Sequence, residues 1–484
     1  MKKIMIFIFS LLLTSTIVQS QTAEDVLRFS RINYSGTARF NALSGAFGAV
    51  GADFSTLATN PAGLGLYSVS EMTLTIAPTI GSTHTNYNGS EASENRVNFG
   101  LGNFGFVFSI KPSKNSSILK SINIGFGFNR QNDFNNQMLI SGVNKENSLM
   151  QNYTNILNEG KIPPSTVTDT YPFDIGLAYG TNLVFYNTNN EYECDAKYGG
   201  VLQTKQVNSY GSVNELDFSV GTNLNNTLFL GLTLGIPMVS YYENSIYQES
   251  RTNDTLKNFI SLKYRYNLQT RGTGFNVKFG MIYKPVQWFR VGAAIHSPTW
   301  YPGMQDEWFS SMQSSFDTLA WNASMDSPIG YYDYQMRTPF RAIGSLAFII
   351  GKYGLLSADY EYVNYSQGRL TSSDDSFSEV NSEIENNFQS FGNIRIGTEW
   401  GISSFRIRGG FAYFSNPFNE GINNGEKFQV SGGLGYRSKS FFADVTYVWS
   451  RMNQDYYLYD ATMVNPSHNT YYSNTVLTTI GFRF

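Results

Sequence analysis

Leu228-Phe229-Leu230-Gly231-Leu232-Thr233-Leu234-Gly235-Ile236 carries a leucine or isoleucine at every second position, with phenylalanine, glycine and threonine between them. Period two sends alternate side chains to opposite faces of a strand, so the aliphatic row forms one face. The alternation returns at Phe275, Val277, Phe279, Met281 and Tyr283 against Asn276, Lys278 and Gly280. It returns again at Phe405, Ile407, Phe411 and Tyr413 against Arg406 and Arg408, and at Phe441, Val445, Tyr447 and Trp449 against Asp444 and Thr446. One face is apolar and the other carries charge.

A soluble sandwich also alternates, so the turns decide between a packed core and a lipid-facing belt. From Glu71 onward the chain reads as fourteen strands, an even count of the kind bacterial outer-membrane barrels use. Short connections are expected at Pro112, Asn225-Asn226, Pro285, Gly351 to Gly354, Ser403 and Ser438-Lys439. Long ones are expected at Gly81 to Asn95, Gln131 to Gly199, Glu249 to Ile260, Tyr301 to Tyr332, Gln367 to Asn387, Asn416 to Glu426 and Asn453 to Thr470. In such barrels short turns face the periplasm and long loops face outside, which puts both chain ends on the periplasmic side. Lipid offers no hydrogen bonds to a sheet edge, so the last strand must pair with the first. Val476, Thr478, Ile480, Phe482 and Phe484 alternate to the terminus and suit that closing strand. Their terminal aromatic resembles the signal read by the barrel assembly machinery, which makes that machinery an expected partner.

Composition narrows the class. Of 484 residues 15% are charged and 15% aromatic, with 32 Tyr, 37 Phe and 44 Gly, which favours strands and tight turns over an ordinary soluble enzyme. Mean hydropathy is −0.25 and, beyond the first 20 residues, no apolar run is long enough for a spanning helix. Net charge is −3 without a basic block, so there is no footprint for nucleic acid. One cysteine, Cys194, and three scattered histidines, His84, His296 and His468, give no disulfide, no metal-ligand spacing and no cofactor site. His296, beside Ser297-Pro298, is the one histidine to inspect for a hydrolase constellation; the reading is that this is not an enzyme. The charges Glu215, Asp217, Lys278, Arg290, Asp359, Glu361, Arg395, Glu399, Arg406, Arg408 and Asp444 fall on the lumen face. Mixed signs favour pairing within the lining over an ion-selective ring.

Met1-Lys2-Lys3 followed by an apolar Ile4 to Val18 and small residues at Val18-Gln19-Ser20 reads as a cleaved export signal over residues 1–20. Its removal takes away two lysines and leaves a mildly acidic chain. Residues 21–69 then precede the barrel of 70–484. This preface is rich in small residues from Ser35 to Gly51, and Asn60-Pro61-Ala62-Gly63-Leu64 is a turn, with proline fixing φ and asparagine favouring turn initiation. Gly45, Gly48 and Gly51 do not have dinucleotide-loop spacing.

The run from Gly36 through Ala46-Phe47, Asp53, Ser55 and Asn60-Pro61-Ala62-Gly63-Leu64 resembles the N-terminal hatch of the FadL family of outer-membrane transporters, in the style of Bacteroidetes members. Some of those are called haemin receptors, but no residue here supports haem. The resemblance implies a 14-stranded antiparallel transmembrane β-barrel, plugged in its lumen and acting as a monomer in outer-membrane lipid. It implies passive uptake of a long-chain fatty acid or other hydrophobic small molecule, captured among the outer loops and released sideways through the wall. The hatch and gate residues would be Phe47, Asn60, Pro61, Ala62 and Gly63. The kinked wall strand would be Ile122 to Asn129, where Gly125 and Gly127 allow a bulge or serve tight packing. A fatty acid's carboxylate would need a cation or backbone donors, and Arg130 is one of several lumen arginines that could serve. Ile175, Leu177, Tyr179, Leu183, Val184 and Phe185 in the longest loop could form a capture surface or a cap on the rim. A barrel component or shuttle of a protein-secretion system, with no small-molecule cargo, is the alternative function.

Overall fold

The computed structural model describes residues 21–112, 118–252, 256 and 258–484. The expected export signal lies outside them, as does part of the turn after Pro112. Fourteen staves follow the hatch in chain order: β1 (Glu71–Tyr87), β2 (Ser90–Ile110), β3 (Leu119–Asp133, resuming as Asn136–Asn144), β4 (Val201–Leu224), β5 (Leu228–Arg251), β6 (Phe259–Val286) and β7 (Phe289–His296, resuming as Trp300–Phe316). They continue as β8 (Gly330–Arg337, resuming as Arg341–Ile350), β9 (Gly354–Asn364), β10 (Ser390–Ile402), β11 (Phe405–Phe414), β12 (Lys427–Arg437), β13 (Phe441–Tyr456) and β14 (Ser467–Arg483).

Each stave pairs antiparallel with the next, and β14 pairs back onto β1 from Glu71↔Arg483 to Asn86↔His468. The terminal alternating strand therefore closes the barrel, as lipid requires. Leu232, Leu234, Phe275, Val277, Phe279 and Leu434 face outward in the belt, while their alternates Thr233, Asn276, Lys278 and Ser431 are buried in the lumen. No helix among the described residues is long and apolar enough to cross a membrane.

The short turns fall where expected. Several long connections do not. Gly81 to Asn95 is strand on both sides of a two-residue turn at Asn88-Gly89, both residues left-handed (φ 48° and 81°). That backbone matches the twist of a hairpin, and Asn-Gly favours it. Tyr301 to Tyr332 is also mostly strand, since β7 runs to Phe316 and a short strand, Ala323–Asp326, pairs beside it. Beyond the apolar belt these staves stand above the membrane, where neither face needs lipid-compatible side chains and the alternation fades.

The C-terminal end lies on the expected side, whereas the first described residue does not. Phe484 donates its amide to Ser70 at the short-turn rim (3.1 Å), but Gln21 is buried in the long-loop half, its side-chain amide donating to Asp306 of β7 (2.7 Å). The hatch thus enters from the long-loop side and descends. It contains α1 (Ala23–Ser30), α2 (Ala38–Ala42), α3 (Thr56–Thr59) and a 3-10 turn, Pro61–Leu66. Over the long-loop end lie α4 (Leu149–Glu159), α5 (Val167–Thr170), α6 (Ile175–Gly180) and α7 (Ser378–Asn387).

Candidate functional site: a seated hatch, a wall seam and a cavity

The Asn60-Pro61 turn sits on a row of glycines. Gly221, Gly231 and Gly280 are direct cross-strand partners on β4, β5 and β6. A Cβ on Gly280 would lie 2.0 Å from Asn60 Oδ1, on Gly231 2.1 Å from the Pro61 carbonyl carbon, and on Gly221 2.7 Å from Leu64 Cβ. Only hydrogen leaves room for the hatch backbone. Asn60 Oδ1 accepts from the Ala62 amide (3.2 Å), and Nδ2 donates to the Gly48 carbonyl (2.6 Å) and to Met281 of β6 (3.3 Å). Across the lumen, Gly397 and Gly410, paired on β10 and β11, receive Leu43 in the same way.

Charge locks the same plug. The Phe47 and Gly48 amides donate to Asp359 Oδ2 (3.0 and 2.9 Å), while Arg39 pairs with Glu399 (2.9 Å) and lies over the Phe47 ring. Lys278 bridges Glu215 and Asp217, Glu361 holds Arg341 and Arg395, and Arg408 joins Glu399 to Asp444. Arg290 donates to the Val50 carbonyl, and Arg406 turns to Ser403 at the rim. The lumen charges therefore form paired lining around the hatch and not an open selectivity ring.

Gly125 and Gly127 also serve packing. A Cβ at Gly125 would meet Leu57 (2.9 Å), and one at Gly127 would meet Phe104 O (2.3 Å) and Phe54 (2.6 Å). The irregularity of β3 falls further along. The β2–β3 ladder stops at Asn103↔Asn129, and the β3–β4 register shifts between Arg130 and Asn132. Beyond that point β2 stays with β1 while β3 stays with β4, so the wall opens into a seam. The hatch takes up part of the freed edge: Asn33 N donates to Gln131 O (2.7 Å) and Ser35 N to Arg130 O (3.0 Å). The second segment of β3 laps behind β1, where Thr83 donates to Asn136 Oδ1 (2.8 Å) and Thr85 to Leu139 O (2.6 Å). Asn98 of β2 and Arg130 of β3 both donate to Asp133 Oδ2 (2.7 and 3.1 Å), latching the joint.

A cavity of about 480 Å³ lies against this seam. Its lining mixes Ile32, Tyr34, Phe40, Phe134 and Met452 with Arg31 and Lys427. Arg31 donates to Gly425 O (2.7 Å) and Lys427 to Asn33 Oδ1 (2.8 Å). Among the described residues neither has a carboxylate partner. The seven expected hatch and wall residues, Phe47, Asn60 to Gly63, Gly125 and Gly127, do not line the cavity. They seat the plug below it. Arg31 and Lys427 escaped sequence reading because their meeting depends on how the hatch threads the barrel.

The longest loop forms a roof. Ile175, Leu177, Leu183 and Val184 are buried with Tyr153, Leu157, Phe259 and Phe316, so of the two expected roles the set takes that of the cap, and only Phe185 of it is exposed. His296 Nε2 donates to Thr59 O (2.6 Å), a backbone contact to the hatch, and among the described residues it has no hydrogen bond to a carboxylate. No metal-ligand cluster occurs among the described residues.

No family model and no curated protein sequence matches the chain. Solved structures do. The chain is similar to a Pseudomonas aeruginosa FadL homologue at 12% identity, covering 94% of this chain and 99% of that one with a TM-score of 0.54. It is similar to the Pseudomonas putida toluene transporter TodX at 11% identity, covering 93% and 99%, also with a TM-score of 0.54. The shared property is the fold: a plugged barrel matched over almost the full length of both chains.

Proposed function

We propose that this protein is an outer-membrane channel for passive uptake of hydrophobic molecules, acting as a monomer and inserted by the barrel assembly machinery. The observation that carries the reading is the contact between the cavity and the wall seam, because a molecule held there has the bilayer beside it. Full-length likeness to a FadL homologue and to a toluene transporter supports the class of cargo. Long-chain fatty acids are the cargo we favour. Moving each CH₂ out of water contributes about 0.8 kcal/mol, so a sideways path needs no energy source. Arg31 and Lys427 supply two cations without carboxylate partners for the acid head group, with Ile32, Phe40 and Met452 for the chain. Release runs between β2 and β3 after the Asn98–Asp133 contact parts. The hatch residues Phe47 and Asn60 to Gly63 hold the plug in register while the strap at Asn33–Ser35 moves.

The test locks the seam. Asn98→Cys/Asp133→Cys in a Cys194→Ala background is expressed in cells lacking their own transporter. Oxidation should lower uptake of labelled oleate about tenfold and reduction should restore it. Uptake that is equal in both states, from a barrel at equal surface level, would exclude exit through this seam. No oleate uptake in any state would remove fatty acids as the cargo and favour a protein partner.

A further inference from the structure

The outer wall carries a feature that the transport path does not use. On β6 the lipid-facing row Phe279, Val277 and Phe275 gives way, on the same face toward the long loops, to Thr273, Arg271, Arg265 and Lys263. At the same level Tyr210 of β4 and Tyr242 of β5 are direct cross-strand partners and stack face to face, with centroids 4.7 Å apart and planes 7° apart. Arg271 donates from Nη2 to the Tyr242 hydroxyl (2.9 Å). With its amide turned to satisfy both groups, Gln269 accepts from Arg271 Nε (2.8 Å) and Nη2 (3.1 Å). At the other end of the row, the Arg96 guanidinium of β2 lies 5.9 Å from the Tyr210 centroid.

This arrangement positions cations without neutralising them. Arg96, Lys263, Arg265 and Arg271 make no ion pair among the described residues. The exposed carboxylates nearest in register are Glu307, opposite Gln269, Asp333, opposite Gln305, and Asp326, opposite the Ser311 that pairs with Arg265, and none reaches ion-pair distance. An exposed arginine loses side-chain freedom when fixed by neutral partners. Here that freedom is spent facing the boundary between the apolar belt and water, where lipid phosphates lie.

We propose that Arg271 and Arg265 bind the phosphate of an outer-leaflet phosphorylated lipid, whose acyl chains lie along Phe275, Val277 and Phe279. Arg271 would offer its remaining N–H donors to phosphate oxygens in a charge-assisted bond. Tyr210 and Tyr242 form the stiff base that holds it, as interfacial aromatic girdles do. The inference rests on the outer-membrane reading, with long loops outside.

Native mass spectrometry of the full barrel in detergent tests it, with bis-phosphorylated lipid A, its dephosphorylated form and inorganic phosphate as probes. The wild type should retain phosphorylated lipid A at about tenfold lower concentration than Arg265→Gln/Arg271→Gln does, and should retain the dephosphorylated form no better than that variant. Tyr242→Phe, which keeps the stack but removes the Arg271 contact, should fall between. Equal retention of the two lipids, or by wild type and double variant, overturns the proposal. Complete displacement by millimolar inorganic phosphate shows a free-anion site and overturns the lipid assignment. Heat-modifiable mobility establishes that each variant is folded. Fractionation away from the outer membrane would instead sink the underlying location.

Discussion

Asn103 and Asn129 are the last pair joining β2 to β3; immediately beyond them the carbonyls of Arg130 and Gln131 accept hydrogen bonds from the hatch. The hatch is therefore plug and wall at once. Its lower part is fixed on glycine rows and ion pairs, whereas the Asn33–Ser35 strap substitutes for a missing strand neighbour. The strap's two backbone bonds to β3 are fewer than the anchor's contacts, so on the proposed release path the strap leaves while the anchor stays.

The anchor is tested at Gly280. Alanine there places a Cβ 2.0 Å from Asn60 Oδ1, so the hatch turn must shift. Gly280→Ala should cost about 1 to 3 kcal/mol, as overpacking does, whereas Gly344→Ala, with open space around its Cβ position, should change urea stability little. Equal midpoints for the two variants would show that the turn does not depend on the glycine row.

The charged lining is tested at Lys278, which serves both Glu215 and Asp217 while all three are buried. Lys278→Met leaves two carboxylates facing each other without a cation and should cost about 3 to 5 kcal/mol. Adding Glu215→Gln and Asp217→Asn should recover most of that loss in the same unfolding assay. Failure of the triple variant to recover would assign the effect to lost lysine packing and not to charge.

The barrel and its short turns were legible because lipid imposes alternation, and Leu228 to Ile236 or Val476 to Phe484 can satisfy it in one way only. The outer extensions were not, since strands above the membrane, such as β1 past Gly81 and β7 past Tyr301, lose the apolar row. Asn88-Gly89 was the available sign of the first hairpin. The hatch was legible through Asn60-Pro61, whose turn chemistry is local. The seam was not: Gly125 and Gly127 lie on the stave that leaves its neighbour, but they make room for Leu57 and Phe54, while the break at Arg130–Asn132 has no residue-type mark. Nor could the roof be told from a capture surface, because Ile175 and Leu183 are equally apolar in either role.

Asp174 gives that roof a pH response. Its side chain caps α6 by accepting from the Ile175 amide (2.6 Å), and burial pushes its carboxyl up to about 6. The folded state then holds the proton more tightly than the unfolded chain does, so stability is greatest below about pH 4 and falls as pH rises through 6, by up to about 3 kcal/mol. Above that range the cost is constant. Asp174→Asn keeps an acceptor for Ile175 and removes the slope. Hydrogen exchange at Ile175 to Thr181 should quicken between pH 4 and 6 in the wild type, after correction for intrinsic rates, and stay level in the variant.

On the fatty-acid reading, Arg31 and Lys427 hold the acid's head group in the cavity. If they receive a carboxylate, Arg31→Gln/Lys427→Gln should weaken oleate binding about tenfold or more, since one to two charge-assisted bonds are lost at about 1.5 to 3 kcal/mol each. Oleyl alcohol, with the same chain and no charge, should bind the variant and the wild type within about twofold. Tryptophan-quenching titrations with the two ligands make the comparison. Equal loss for acid and alcohol would mean that the pair shapes the cavity and does not read the head group. No loss for either would place the acid's head elsewhere, with Arg130 beside the seam the next residue to substitute.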